Sequence, residues 1–141
     1  MLRRTAAALL AAAAAAGLPA ACGGDSGTPT ADGLDGCLAD IDPSLERTPS
    51  DAGYGADVEY LGSVEGRPVA VYVAEGDTDP RAVYEEARRG EADRRRYVRQ
   101  SGQEDDPDFV NAEVRQHGDV VLTYAESLGP EALRRLEECV R

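Results

Sequence analysis

The sequence predicts an α+β domain with the element order ββαββα, in which two hairpins form a four-stranded antiparallel sheet and the helices pack on one face as a second layer. Two observations support this fold. Apolar and polar residues alternate in two pairs of short segments, as in strands with one buried face. Each pair is followed by a helix-start signal with proline in the first turn, at Pro80 and at Pro130.

The first hairpin is predicted from the alternating residues around a Glu65-Gly66 turn. A two-residue turn of this kind places Tyr60 opposite Val71 and Val58 opposite Val73, so that the large apolar residues share one face. We expect the Pro, Ser, Asp and Gly-rich residues 44–55 before this hairpin to be a loop.

The helix after the first hairpin is predicted from Pro80 towards residue 100, with Asp79 as its N-cap. Gly90 lies in its middle and destabilises a helix by ~1 kcal/mol relative to alanine, so we expect a bend or a break there. Acidic residues placed three or four positions from the arginines indicate a solvated surface. A sharper alternative is that Arg94, Arg95 and Arg96 bind an anion, such as a phosphate-rich wall polymer or an acidic partner.

The second hairpin leaves a choice of turn. A two-residue Gly118-Asp119 turn would pair Val114 with Thr123 and mix the core and solvent faces, whereas a three-residue loop from His117 pairs Val114 with Leu122. We therefore expect the longer loop. His117 then lies at its tip as a turn residue.

The last helix follows Gly129 and Pro130, and Leu136, Cys139 and Val140 share its apolar face. Cys37 lies near the start of the domain, in a predicted short helix within residues 34–45. In an oxidising compartment two such cysteines favour a disulfide, Cys37 to Cys139. Closing a loop of about 100 residues removes up to ~4.7 kcal/mol of chain entropy from the unfolded state.

The N-terminus reads as an export signal. Arg3 and Arg4 precede an apolar run that ends near Ala16, which is too short for the ~20 residues of a membrane-spanning helix. Small residues then lead to Cys22.

The residues Ala20, Ala21 and Cys22 resemble the signal of bacterial lipoproteins, although Pro19 lies where leucine is usual. The resemblance implies that residues 1–21 are a signal peptide and that Cys22 becomes the lipidated first residue. It places the domain on the outer face of the bacterial cytoplasmic membrane, held by the lipid anchor. Plain cleavage, which would give a secreted protein without lipid, remains an alternative.

Residues 22–33 have the composition of a flexible tether, and residues 34–141 would form one small domain. Without residues 1–21 the chain has 13 arginines against 27 acidic residues, a net charge of −14. Such a surface is repelled by nucleic acid, so we expect no nucleic-acid partner.

No motif in the sequence indicates catalysis. It has no nucleophile motif, no glycine-rich phosphate loop and no zinc-ligand spacing, so we predict no catalytic residue, metal or cofactor. We expect a non-catalytic envelope protein that binds a partner protein or a wall polymer. An exposed sheet face with Ala70, Tyr72 and Val121 would favour protein binding. A cleft with two carboxylates would favour the alternative, a small extracytoplasmic enzyme that uses paired carboxylates or a metal.

Overall fold

The computed structural model describes residues 29–49, 51–105 and 111–141. The predicted signal peptide, the proposed lipidation site Cys22 and the tether up to residue 28 lie outside these residues. In chain order the elements are α1 (Ala31–Ile41), β1 (Glu46–Arg47), a 3₁₀ turn (Gly53–Gly55), β2 (Val58–Val64), β3 (Arg67–Val73), α2 (Pro80–Ser101), β4 (Ala112–His117), β5 (Val120–Ala125) and α3 (Pro130–Val140).

The described strands form one antiparallel sheet of five strands in the order β1-β2-β3-β5-β4. The prediction of four strands is wrong, because β1 forms within the stretch that was expected to be loop. Gly62 of β2 explains this, since a Cβ there would lie 2.8 Å from the Leu45 nitrogen. The missing side chain lets the segment before β1 lie directly against β2.

The predicted register of the first hairpin is confirmed. Tyr60 pairs with Val71 and Val58 pairs with Val73. Glu65 and Gly66 form the turn with φ values of 52° and 72°. Two positive φ values in succession give the turn a twist that matches the flanking strands.

The predicted register of the second hairpin is wrong. The turn has two residues, Gly118 at a φ of 58° and Asp119, and it pairs Val114 with Thr123 and Arg115 with Leu122. The expectation assumed that one face of this hairpin is core and the other is solvated, but every residue of β5 is buried, on both faces. His117 is therefore the last residue of β4 and not a loop tip.

The helices pack on both faces of the sheet, so the prediction of a single helical layer is wrong. Residues of α1 and α3 share one core cluster with the face that carries Tyr60 and Val71. Val83 and Ala87 of α2 join a second cluster on the opposite face. The residues of β3 that were expected to face solvent are apolar, and α2 buries them. These residues are Ala70 and Tyr72, with Val121 beside them on β5.

Helix α2 begins as predicted, because the Asp79 side chain accepts a hydrogen bond from the Arg81 amide. It ends at Ser101, where Gly102 adopts a left-handed conformation. The expected break at Gly90 is absent, and the helix runs through it. A Cβ at Gly90 would lie 2.8 Å from the Tyr54 ring. Gly90 therefore makes room for that ring, which also packs edge-on against Tyr72 at 5.0 Å.

The predicted disulfide between Cys37 and Cys139 is present and joins α1 to α3. Helix α1 begins at Ala31, three residues before the expected domain start, and Ala31 is buried. The Tyr60 hydroxyl lies 2.8 Å from the Ala31 carbonyl oxygen and 2.5 Å from the Asp35 carboxylate. Within the described ranges, no helix has the length and apolar character needed to cross a bilayer.

Candidate functional site

Helix α2 is the most basic element of an acidic protein. It has seven of the 15 arginines and four acidic residues, whereas the whole chain has a formal charge of −12. The helix lies over the second face of the sheet and contacts β4 and β5. Ligand contacts near α2 would therefore meet a charge opposite to that of the rest of the protein.

The structure does not bring the three predicted anion-binding arginines together. Successive residues of a helix point about 100° apart, so Arg94, Arg95 and Arg96 face different directions. Arg94 and Arg95 line two different cavities, and the Arg96 side chain is 68% exposed. Each also pairs with an acid, at N···O distances of 2.8, 2.9 and 3.4 Å; the acids are Glu91, Glu126 and Asp93 respectively.

A cleft lies beside α2 where the helix does not cover the sheet. It consists of two neighbouring cavities of about 330 and 290 Å³, which share Glu91 and Ala112. The smaller cavity is floored by apolar residues of β2 and β3, including the exposed Leu61. The larger one lies between α2 and β4 and is lined by Arg88, Glu91, Ala92, Arg95, Ala112, Glu113, Val114 and Arg115.

Strand β4 forms the outer edge of the sheet beside this cleft. The Asn111 carbonyl accepts a bond from the Glu126 amide on the β5 side, at 2.8 Å. Backbone groups alternate in direction along an antiparallel strand, so those of the next residue, Ala112, point outward. The Ala112 carbonyl indeed accepts a hydrogen bond from Arg95 of α2.

The same alternation directs the amides and carbonyls of Val114 and Gln116 away from β5. Within the described part of the chain, no hydrogen bond reaches these outward groups. Val114 is half-buried and Gln116 is exposed. We call this row of backbone donors and acceptors, which has no partner among the described residues, the open edge of β4.

The other side of β4 has a fixed polar cluster. The Tyr124 hydroxyl donates to Glu113 at 2.6 Å, and the Arg115 guanidinium lies 2.7 Å from Glu137 and 5.4 Å from the centre of the Tyr124 ring. The hydrogen bond from Tyr124 holds the pKa of Glu113 below its ordinary value. Burial, and then this bond, raises the pKa of Tyr124. The cluster orients the side chains of Glu113 and Arg115 along the strand.

Two carboxylates, Glu91 and Glu113, do line one cavity. Both are engaged, Glu91 with Arg94 and Glu113 with Tyr124. A general acid needs a raised pKa, and the pKa of Glu113 is lowered. In residues 29–49, 51–105 and 111–141, no group of three histidine, cysteine or acidic side chains is placed to hold a metal ion.

The sheet face expected to be exposed is covered. Ala70, Tyr72 and Val121 are 9%, 6% and 0% exposed because α2 lies over them. Sequence reasoning missed the open edge of β4, because it assigned no strand order, and β4 is outermost only because β5 pairs with β3. The signal was present in the alternation of Glu113 and Arg115 with Ala112 and Val114, which favours a half-solvated edge strand.

Comparison with protein families, characterised proteins and solved structures finds no family model, protein or structure that matches this chain.

Proposed function

We propose that this chain is a lipid-anchored, extracytoplasmic envelope protein that binds an extended segment of a partner protein along β4. The binding is non-catalytic. One observation carries the proposal: the outward backbone groups of Val114 and Gln116 have no partner in the described residues, and Val114 lines the larger cavity.

Strand addition would use both features. The backbone of an extended segment would hydrogen bond to β4, and every second side chain would enter the cavity between β4 and α2. A cavity of about 330 Å³ is large enough for one or two side chains. Such binding needs no preformed pocket for a whole ligand.

The α2 side of the cavity is weakly basic. Arg88 and Arg95 line it against Glu91, whereas the side chains of Glu113 and Arg115 lie on the other face of β4. Side chains of the bound segment on the α2 side can therefore be apolar, polar or acidic, and those on the other face meet Glu113 and Arg115. Of the three arginines predicted to bind an anion, only Arg95 lines this cavity. Arg94 and Arg96 point elsewhere.

The proposed location on the membrane surface depends on lipidation of Cys22. A lipid there would leave only residues 23–30 between the membrane and α1, which as a random coil reach ~16 Å. The test is palmitate labelling with and without globomycin, which blocks lipoprotein processing. We expect labelled mature protein that accumulates as precursor under globomycin. An unlabelled protein in the culture medium would instead support secretion without lipid.

The binding proposal is tested with a displayed library of extended ten-residue peptides, selected against the exported Cys22→Ala chain. The Val114→Pro variant removes one outward N–H from an edge strand, where proline is tolerated. Val114→Ala is the matched control, because it shortens the side chain and keeps the N–H. We expect selected peptides to be enriched in β-branched residues and to lose at least about tenfold in affinity for Val114→Pro.

Equal affinity for the wild-type chain and Val114→Pro would contradict strand addition. So would an equal loss in Val114→Ala, because the contact would then depend on the side chain and not on the backbone. Unchanged circular dichroism and an intact disulfide in both variants show that the fold survives.

A further inference from the structure

We infer that the partner strand at β4 is β4 of a second copy of this chain. This inference rests on the proposed function, since it names the segment that the open edge accepts. It starts from the register that two identical strands can adopt when they pair antiparallel about a two-fold axis.

The outward-pointing backbone groups limit that register. Only Ala112, Val114 and Gln116 direct their amides and carbonyls outward, so these residues must lie opposite one another across the pair. The arrangement with the longest overlap puts Val114 opposite Val114 of the second copy, and Ala112 opposite Gln116. Every outward group of β4 then has a backbone partner.

The side chains select the same register. With Val114 on the axis, Glu113 lies opposite Arg115 of the second copy, and Arg115 lies opposite Glu113. Shifting the register by one hydrogen-bonding step in either direction would put Glu113 opposite Glu113, or Arg115 opposite Arg115. Unlike charges directly across a strand pair stabilise it, and like charges destabilise it.

The two charged side chains are placed for this role before pairing. Glu113 is held by Tyr124 and Arg115 by Glu137, both on the face away from α2. Their side chains are still 46% and 44% exposed. Because they are already ordered, pairing would cost little further side-chain entropy.

Charges on edge strands usually prevent pairing between copies. On β4 they have the opposite effect, because their signs alternate about Val114 so that a copy presents the complement. On the α2 side, Val114 contributes an apolar contact at the axis. The Ala112 carbonyl bonds to Arg95 and keeps a second lone pair for Gln116 of the other copy.

A single six-residue edge gives a small interface, so the pair should be weak in dilute solution. Confining both copies to one membrane by the proposed lipid anchor would raise their effective concentration. The surface charge of −14 on each copy adds repulsion, which moderate salt screens.

Charge-swap variants test this inference on the exported Cys22→Ala chain by sedimentation velocity over a concentration series. Glu113→Arg puts arginine opposite arginine, and Arg115→Glu puts glutamate opposite glutamate. We expect each variant alone to dimerise at least about tenfold more weakly than the wild-type chain. An equimolar mixture of the two restores both unlike pairs, so we expect the mixture to dimerise like the wild type. The doubly swapped chain E113R/R115E should also dimerise.

A wild-type chain that remains monomeric throughout the series would overturn the inference, and so would single variants that dimerise as well as it does. If the wild type stays monomeric while selected peptides still bind it and not Val114→Pro, the second copy is excluded as the partner and strand addition stands. If Val114→Pro dimerises like the wild type, the copies meet elsewhere and the inference fails. If the mixture dimerises like the wild type, misfolding of the single variants is also excluded as the cause of their weak dimerisation.

Discussion

The two edge strands of the sheet, β1 and β4, differ in length and in their surroundings. The two-residue β1 and its flanking residues cover β2: the Ser44 hydroxyl bonds to both the carbonyl and the amide of Ser63, and the Thr48 amide bonds to the Glu59 carbonyl, and we call this side the covered edge. On the side of β4, the outward groups of Val114 and Gln116 have no partner in the described residues.

The comparison shows that covering the edge of β2 requires specific sequence features. The covered edge needs a glycine at position 62, a serine that bonds twice and a loop that folds back. None of these devices occurs at β4 in the part of the chain that the structure describes. β1 leaves an edge of only two residues, whereas β4 leaves one of six residues beside the cleft and the basic helix, which is why we assign binding to β4.

The largest expected effect comes from the disulfide behind the covered edge. Replacing Cys37 and Cys139 by serine removes a cross-link over 102 residues and should lower the free energy of unfolding by about 2–5 kcal/mol. Urea denaturation measures this loss. Because the disulfide fixes α1, which lies against Tyr60 of β2, amide exchange should accelerate more at Ser63 than at Arg115. Equal acceleration at both edges would show that α1 does not stabilise the covered edge.

A smaller effect is expected from Gly62→Ala, which adds a Cβ that would overlap the backbone of Ser44 and Leu45. Displacing the loop should destabilise the protein by about 1–3 kcal/mol. Gly36→Ala is the matched control, because no neighbouring atom among the described residues would lie within 4 Å of a Cβ there, and α1 gains helix propensity. We expect that control to unfold at a higher urea concentration than the wild type. A neutral Gly62→Ala would mean that the loop is not packed closely against β2.

The smallest effect is expected from Tyr124→Phe at the open edge, which removes the hydroxyl bond to Glu113 at a cost of about 1 kcal/mol near neutral pH. The folded-state pKa of Glu113 is lowered, so this stabilisation is present above the ordinary carboxylate pKa and is lost as pH falls through the lowered value. The stability difference between wild type and variant should therefore shrink in acid. Carboxylate titration by NMR should show the pKa of Glu113 higher in Tyr124→Phe. An unchanged pKa would contradict the assigned bond.

Some features of this protein were predictable from local chemistry. The first hairpin follows from its Glu65-Gly66 turn, α2 from Asp79 and Pro80, and the disulfide from the count of cysteines. Each depends on residues close together in sequence or on a pairing with few alternatives.

The open edge was not predictable in this way. β4 is an edge because β5 and not β4 pairs with β3, and whether the turn has two or three residues decides which residues of β4 face α2 and which direct their backbone outward. The alternation in β4 and β5 allows both registers, because β5 is apolar on both faces. The observed register is set by the packing of α2 on the second face, where Val83 and Ala87 join Val121 in one cluster. This contact joins distant parts of the chain. The role of Gly90 was missed for the same reason, since it depends on Tyr54.

Residue-resolved amide exchange on β4 tests the central claim most directly. In dilute protein we predict rapid exchange at Val114 and Gln116 and slow exchange at Glu113 and Arg115, whose amides point to β5. Adding a selected peptide, or concentrating the chain, should slow exchange at Val114 and Gln116 and leave the other two unchanged. Slow exchange at Val114 and Gln116 in the dilute chain, or rapid exchange with peptide bound, would contradict an open edge that accepts a strand.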